Sequence, residues 1–539
     1  MTNTTAADDL IFGLTRLVDL PGLTNAAGAP LSADDIAQIV TEANRFCTEA
    51  LQPKAQEADK QGARYANGTV TTPAHYPALY DQWRDGGWQG LAAPVEHGGQ
   101  GLPLSLWTAM TELGMAADTS FMLGPLLTAG AIDLLRHHAS PDQAARWLPP
   151  LIAGDWTGAM CLTEPQAGSD LGMLRTRAEP LGNGRYALHG QKIFITWGEH
   201  DCAGNILHLV LARLPDAPPG SRGISLFAAP KILPDGARNA FRCGGIERKM
   251  GIHGSPTCIM LYEGAEAEMV GEPHRGLQAM FAMMNNARLG VGTQGVAHGA
   301  AALRLAEAYA AQRVQSGRAI AEHPDVARML MEMRATTLAA RLIMLEAAVA
   351  ADRAELLGDA AASTRLALLI PVLKAWATDR GVETASLGVQ VHGGMGFIED
   401  TGAAQVLRDA RIAPIYEGTN GIQAIDLLTR KLARDGGAEM HKLIQEIATL
   451  PDARLRAAAE GLARTTETVL SEQGRDAEAG QALATAYLDA VGWVLGGALL
   501  ARAAAADGAA YGAVADFYLR RLLPRAGARF AEIEGAMAA

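Results

Sequence analysis

Three short segments of this chain bring together residues that can move a proton or hold a flat, charged ligand. The first is Ile412-Ala-Pro-Ile-Tyr-Glu-Gly-Thr-Asn-Gly-Ile-Gln423, in which Glu417 follows Pro414, Ile415 and Tyr416 and precedes Gly418. Apolar neighbours disfavour the charged form of a carboxylate, so its pKa rises and it becomes a stronger proton acceptor. Such a group suits abstraction of a weakly acidic C–H proton, and Gly418 lets a substrate come close. A plain exposed loop glutamate is the other reading of the same residues.

The second segment, Leu162-Thr-Glu-Pro-Gln-Ala-Gly-Ser-Asp170, clusters small residues and hydroxyls. Thr163, Ser169 and nearby backbone amides can approach a hydrogen-bonding ring system, because small side chains permit close contact. Ser169 or Asp170 can equally be a simple helix cap. The third, Val389-Gln-Val-His-Gly-Gly-Met-Gly-Phe397, has three glycines in four positions, so backbone can reach a phosphate or an adenine, and Gln390 offers both donor and acceptor. A glycine-rich helix end is the alternative.

Other patterns carry less. Gly290-Val-Gly-Thr-Gln-Gly295 has the form of a dinucleotide fingerprint, but that motif needs a strand before it, and Met283-Met-Asn-Asn-Ala-Arg-Leu289 reads as helix. These glycines are expected to serve close helix packing. The histidines are scattered without HExxH spacing, so no metal site is assigned, and no Gly-x-Ser-x-Gly hydrolase elbow occurs.

These groups need a scaffold, and 539 residues suffice for roughly three or four domain-sized units. With 46 Lys and Arg against 58 Asp and Glu, the net charge of -12 argues against nucleic acid as a partner. Five dispersed cysteines without a CxxC suggest a reducing compartment. The acidic start lacks the basic region of a secretory signal. The apolar run Ala490 to Ala501, bounded by Asp489 and Arg502, falls short of the ~20 residues of a spanning helix. A cytoplasmic protein with no membrane span is expected.

Hydrophobic period places the elements. From about Ser32 to Trp156 the spacing is helical, interrupted by the Gly- and Pro-rich Ala92 to Pro103. Between Gly158 and about Glu272 it changes to short, turn-bounded strands at Tyr186 to His189, Lys192 to Thr196, Ile206 to Ala212 and Gly223 to Phe227. Helices return after Gly276, and Asp435-Gly-Gly437 reads as a hinge into a final Ala-rich helical segment. The expected class is α+β: an N-terminal helical domain (1–157), a central β domain (158–275), a C-terminal helical bundle (276–435) and an extra C-terminal helical domain (436–539).

Taken in order, Thr163 to Asp170, Lys192 to Thr196, Arg288, Arg313, Gln390 to Phe397 and Arg408-Asp-Ala through Tyr416-Glu-Gly-Thr419 resemble the acyl-CoA dehydrogenase family over roughly residues 35 to 435. The added C-terminal segment, with Gly86-Gly-Trp-Gln-Gly-Leu91, Thr196-Trp-Gly-Glu-His-Asp201 and Met250-Gly-Ile-His-Gly-Ser-Pro-Thr257, is similar to its 3-methylmercaptopropionyl-CoA dehydrogenase subfamily.

The resemblance implies flavin adenine dinucleotide (FAD) as cofactor. Leu162, Thr163, Ser169, Phe194 and Thr196 would face its flavin and ribityl portion, and Thr419 would complete the pocket. Arg313 would reach the pyrophosphate of a neighbouring subunit's FAD, with Gln390, Gly393 and Gly394 along its adenine side. Phe194 stands where many relatives carry tryptophan.

Ser169, Arg288 and Gly418 would contact substrate, and Glu417 would remove the α-proton during dehydrogenation of an acyl-CoA thioester to the 2-enoyl-CoA. Some relatives carry the base at the position of Ala287, which cannot serve here. A short-chain or 3-methylmercaptopropionyl-CoA substrate, as in dimethylsulfoniopropionate catabolism, is the subfamily expectation. The resemblance further implies electron-transferring flavoprotein as acceptor and a homodimer or homotetramer.

Two rivals share the fold: an acyl-CoA oxidase using oxygen, and a non-catalytic DNA-associated flavoprotein. The latter needs a basic C-terminal domain. Residues 436–539 carry 10 Lys and Arg against 13 Asp and Glu.

Overall fold

Trp156 opens the first strand of a seven-stranded sheet, close to where the hydrophobic period changes. The computed structural model describes residues 4–537. The strands are β1 (Trp156–Cys161), β2 (Arg177–Gly182), β3 (Arg185–Thr196), β4 (Asn205–Arg213), β5 (Ile224–Pro230), β6 (Phe241–Ile246) and β7 (Thr257–Val270). Their order is β1-β4-β2-β3-β7-β5, β6 pairs with β7, and β5 pairs back to β4, so the sheet closes on itself.

Strand β4, Asn-Ile-Leu-His-Leu-Val-Leu-Ala-Arg, is buried at every position but the last. It reads as a near-continuous apolar run because both faces are covered. Ile206, Val210 and Ala212 join Phe227, Met260 and Tyr262 inside the sheet. Leu207, Leu209 and Leu211 face the other way, against Leu134, Leu148 and Met280.

The four strands expected from the sequence are present, although Tyr186–His189 and Lys192–Thr196 belong to the single bulged strand β3. Strands β1, β2, β6 and β7 were not foreseen. Neither were the hairpin Arg64–Ala66 with Thr69–Thr71 inside the expected helical region and the helices Leu20–Ala26 and α1 (Ala6–Phe12).

The chain forms two compact units: residues 1–47, 103–116 and 288–539, and residues 48–102 and 117–287. The division falls inside two long helices, α2 (Leu104–His138) and α3 (Gly276–Gln312), and α2 departs from helical geometry at Asp118 (φ -152°, ψ 95°). The carboxylate of Asp118 accepts from the Tyr76 hydroxyl (2.9 Å) and the Phe121 N–H (3.1 Å). Those bonds occupy it where the helical ladder is broken.

In the first unit, α4 (Pro324–Leu357), α5 (Ala360–Val372), a π-helical turn at Leu373–Ala377 and α6 (Thr378–His392) pack with α3. The glycines of 290–295 act as spacers here. A Cβ on Gly295 would lie 2.5 Å from the Ala377 carbonyl oxygen, and one on Gly292 would lie 2.5 Å from Leu373 Cγ. At the same end of the unit, Asp9 on α1 and Glu112 on α2 close around Arg341 of α4, all three buried. The Arg341 guanidinium donates to Glu112 Oε1 (2.8 Å) and Asp9 Oδ2 (2.8 Å), and Asp9 Oδ1 also accepts from Arg334 (2.8 Å) and the Tyr511 hydroxyl (3.2 Å).

Gly436 and Gly437 both adopt positive φ, 64° and 84°, and Asp435 accepts from the Gly437 N–H (3.0 Å), so the hinge is a defined turn. Beyond it lie α7 (Ala438–Ala448), α8 (Ala453–Arg475), α9 (Ala477–Ala506), α10 (Gly508–Arg521) and α11 (Pro524–Met537). Helix α9 packs on α4, α8, α10 and α11. Its Trp493 meets Trp376 edge to face at 5.1 Å, and the guanidiniums of Arg380 and Arg525 lie 4.7 Å and 4.9 Å from the Trp493 ring.

Among the described residues three helical stretches, Leu104–His138, Ala360–Phe397 and Ala477–Ala506, are long and apolar enough to cross a membrane. That differs from the sequence expectation for the last one, whose apolar window extends beyond Ala490–Ala501. Its most apolar window is 94% buried inside the protein. Deleting residues 437–539 would expose Trp376 and the α4 face under α9, so the shortened chain should aggregate or melt well below the full chain. A truncated protein that stays folded and assembled but has lost only its chemical step would contradict this covering role.

Candidate active site

Glu417 lies on a turn between Pro414 and the helix Asn420–Asp426, and it is partly buried with φ 57°. A left-handed conformation at a non-glycine residue costs on the order of 1–3 kcal/mol and persists only where the surroundings enforce it. Gly418 follows at φ 83°, a region that favours glycine, and a Cβ there would also press on Gln423 Nε2 at 2.8 Å.

Several bonds hold this turn. Gln423 Nε2 donates to the Glu417 carbonyl (3.1 Å), Lys374 Nζ donates to the Gly418 carbonyl (2.7 Å), and Thr419 Oγ1 accepts from the Ile422 N–H (3.2 Å). The Tyr416 hydroxyl donates to Gln294 Oε1. Among the described residues the Glu417 N–H has no hydrogen-bond acceptor.

Burial pushes the Glu417 carboxyl up to about 6, against the opposing pull of Arg288 and then Lys374. Arg288 is 6% exposed, with Nη1 3.7 Å from Asp426 Oδ2, and its Nε has no partner among the described residues. Lys374 is fully buried, and that burial draws its ammonium down to about 8 despite Glu417 and Asp379. Thus the structure brings Glu417, Gly418, Thr419 and Arg288 together and adds Lys374, Gln423 and Asn420. The sequence signal for Lys374 was a lone charge in the apolar run Leu368 to Ala377.

In the second unit, Leu162, Thr163, Phe194 and Thr196 come together. The Ile193 N–H donates to the Thr163 carbonyl (2.9 Å), and Lys192 Nζ donates to the Leu162 carbonyl (2.9 Å) and Glu164 Oε1 (2.8 Å). Glu164 also accepts from Thr176 Oγ1 (2.6 Å) and the Arg175 N–H (2.7 Å). Burial works against its charge, yet Lys192 and these hydrogen bonds hold its carboxyl at about 2. The buried pair therefore fixes the backbone on which Thr163 sits. Both residues stand in the quoted motifs, but nothing in the sequence assigned either a role.

The β3–β7 register shifts between Lys192 and Ile195, and Phe194 at the bulge has φ 60° and remains 58% exposed. Bulges commonly re-aim a side chain beside a site. Ser169 lies on an exposed loop, while Asp170 accepts from the Gly172 N–H (2.9 Å), so the capping alternative holds for Asp170.

The remaining residues gather where α3 and α6 end, with Tyr309 stacked on His392 at 4.5 Å. Gln390, Gly393 and Gly394 are exposed there, α6 ends at His392, and Gly393 has φ 60°. A Cβ on Gly393 or Gly394 would meet nothing within 4 Å, so no packing inside the chain requires either glycine to be small. Phe397 beside them is 86% exposed. Arg313 is exposed at the start of a small hairpin whose turn, Ser316-Gly317, has φ 52° and 80°. An open cleft of about 560 Å³, lined by Asp379, Arg380, Arg411, Thr419, Asn420 and Gly421, lies beside the Glu417 turn. Backbone open to close approach, an exposed guanidinium and free apolar surface where α3 and α6 end fit a ligand with an aromatic ring and phosphates, whereas the cleft opens separately at the start of α6.

Residues 33–155, 159–265 and 274–432 match, in order, the N-terminal, middle and C-terminal domains of acyl-CoA dehydrogenases, and residues 437–539 match the acetyl-CoA dehydrogenase C-terminal-like domain. The chain belongs to the acyl-CoA dehydrogenase family. The 3-methylmercaptopropionyl-CoA dehydrogenase of Ruegeria pomeroyi is 43% identical, covering 99% of this chain and 98% of that protein. Two solved structures share the fold. Caenorhabditis elegans ACDH-11, in complex with C11-CoA, has a TM-score of 0.81 at 22% identity, over 93% of this chain and 89% of that one. The Bacillus anthracis acyl-CoA dehydrogenase complexed with FAD has a TM-score of 0.78 at 21% identity, over 94% and 89%. An acyl-CoA dehydrogenase with the extra C-terminal domain is thus the architecture that the sequence pattern anticipated.

Proposed function

We propose that this protein performs FAD-dependent α,β-dehydrogenation of an acyl-CoA thioester, with Glu417 as the base. The observation that carries this reading is the Glu417 turn itself: a carboxylate held in a left-handed conformation, pushed up to about 6, with a glycine at positive φ beside it.

Glu417 takes the α-proton on its carboxylate. As negative charge develops on the thioester oxygen, the Glu417 N–H stands ready to donate to it, and a fixed donor there stabilises the enolate-like transition state. When bound, FAD supplies the acceptor for the β-hydride and its two electrons. Arg288 keeps the carboxylate ionised between turnovers, and the Lys192–Glu164 pair holds the Leu162–Thr163 backbone in place for the ligand. The Phe194 ring, exposed at its bulge, offers a face for an aromatic ligand to stack on.

The substrate reading is a short-chain or 3-methylmercaptopropionyl-CoA, supported by the Ruegeria pomeroyi relative. Electron-transferring flavoprotein is the expected acceptor, in the cytoplasm, and the reading of no membrane span is supported by two of the three apolar helices having their most apolar windows 89% and 94% buried in the protein. Anaerobic bleaching of the flavin by acyl-CoAs of graded length and β-substituent tests the reading. Bleaching by none of them would overturn it, and fast reoxidation by oxygen would favour the oxidase alternative.

Arg313 and the Gln390–Gly394 end serve a second copy's FAD in a homodimer or homotetramer, which accounts for their exposure in one chain. Arg313→Ala should purify with markedly less FAD. Full occupancy at unchanged affinity would remove Arg313 from the site.

A further inference from the structure

Lys374 is an unusual residue to find where it is. It sits in the π-helical turn Leu373–Ala377, fully buried, between the apolar helix α5 and α6. A π turn widens the helix and releases carbonyls from the regular ladder, and such turns recur at functional sites. Here the Lys374 carbonyl accepts from Thr378 Oγ1 (2.7 Å), and the Ala375 carbonyl accepts from Asn420 Nδ2 (3.0 Å).

Asn420 belongs to the base-bearing turn, so the widened helix and the turn are clamped together. Its Oδ1 accepts from Lys374 Nζ (3.0 Å) and its Nδ2 reaches Asp379 Oδ1 (2.8 Å). Lys374 Nζ also donates to the Gly418 carbonyl, while Gln423 holds the Glu417 carbonyl. Two successive carbonyls of a left-handed pair are therefore fixed by side chains from behind. The ammonium forms no ion pair within 4 Å with the Glu417 carboxylate, which leaves that carboxylate free to face a ligand.

We infer that Lys374 is a positioning residue for the base: it pins the 417–420 turn through Gly418 and Asn420, and its charge acts on the Glu417 carboxylate across the turn. The inference rests on Glu417 being the base. The other charged or titratable groups around the pair are Arg288 with Asp426 from α3 and the Asn420–Asp426 helix, Asp379 and Arg380 from α6, and the Tyr416 hydroxyl. Of these, Arg288 is the other cation acting on Glu417 and the stronger of the two, so removing Lys374 leaves the carboxylate with Arg288 alone.

The test follows the pH dependence of flavin reduction by substrate in rapid mixing, using FAD-loaded holoenzyme. Lys374→Met keeps an unbranched chain and removes the charge. The midpoint of the pH profile should rise by about one unit, the low end of what an adjacent opposite charge supplies. The plateau rate should also fall, because the turn is no longer pinned.

Asn420→Ala keeps the cation but removes the clamp. Its plateau rate should drop severalfold with a smaller midpoint shift, and it decides the question if Lys374→Met does not accumulate folded with FAD. A midpoint and plateau matching wild type in the folded Lys374→Met variant, or failing that in Asn420→Ala, would overturn the inference. Glu417→Gln run alongside separates the two ideas. A near-wild-type rate there removes the base assignment itself, whereas an inactive Glu417→Gln beside an unaltered Lys374→Met removes only the role of Lys374.

Discussion

Replacing Glu417 with glutamine lowers the rate of flavin reduction by substrate at least ~100-fold, the lower end of what general acid-base catalysis contributes. Glutamine keeps the shape and the hydrogen-bonding capacity of the side chain but cannot accept the α-proton. FAD and acyl-CoA binding should persist, because the backbone of the turn is held by Gln423 and Lys374 rather than by the carboxylate.

The wild-type enzyme should show its own signature. A base pushed up to about 6 is ionised above that pH and protonated below it, so the reduction rate should rise with pH through about 6 and then level off. At pH 5 it should stand roughly tenfold below the plateau. Rapid-mixing reduction with parallel equilibrium binding decides the matter. Near-wild-type reduction in Glu417→Gln, or a flat profile across pH 5–7 in the native enzyme, means that another group takes the proton.

The second large effect is on stability. Arg341 is a buried cation that donates to both Glu112 and Asp9, and removing it strands Glu112 in the interior and takes from Asp9 one of its two cations. Breaking a buried pair in this way costs about 3–5 kcal/mol. Glu112 already feels the interior: burial raises its carboxyl, with Arg341 pulling the other way. Arg341→Met should therefore unfold at clearly lower denaturant or temperature than wild type. Adding Glu112→Leu should recover part of the loss, since one stranded charge is gone and Asp9 retains Arg334. Equal midpoints for Arg341→Met and wild type would show that the network contributes nothing net.

The candidate site was legible in the sequence where its residues sit in contiguous motifs: Glu417 with Gly418, Thr163 with its neighbours, and the glycines after Gln390. Their types report local chemistry. What stayed hidden depends on partners far along the chain. Asp9 meets Tyr511 across almost the whole sequence, and Lys374 meets a turn more than forty residues later.

Strand β7, Thr-Cys-Ile-Met-Leu-Tyr-Glu-Gly-Ala-Glu-Ala-Glu-Met-Val, escaped notice because its second half carries alternating glutamates. That alternation is itself the period of a half-exposed strand. Helix α1 has only seven residues, too few for a periodic apolar signal, and it is held by Leu10, the Phe12–Tyr511 ring contact and the Asp9 ion network.

Helix α9 is apolar enough for a lipid bilayer, yet two of the helices that cover it, α10 and α11, come after it in the sequence. Domains generally fold as units while the ribosome is still working. Here a greasy thirty-residue rod emerges when only α4 and α8 among its covering helices have been made, and it stays partly uncovered until α10 and α11 follow. A ribosome that stalls near residue 507 leaves a chain attractive to chaperones, to membranes and to other copies of itself. Premature stops before α10 and α11 should therefore be damaging in the cell, for reasons of handling rather than chemistry.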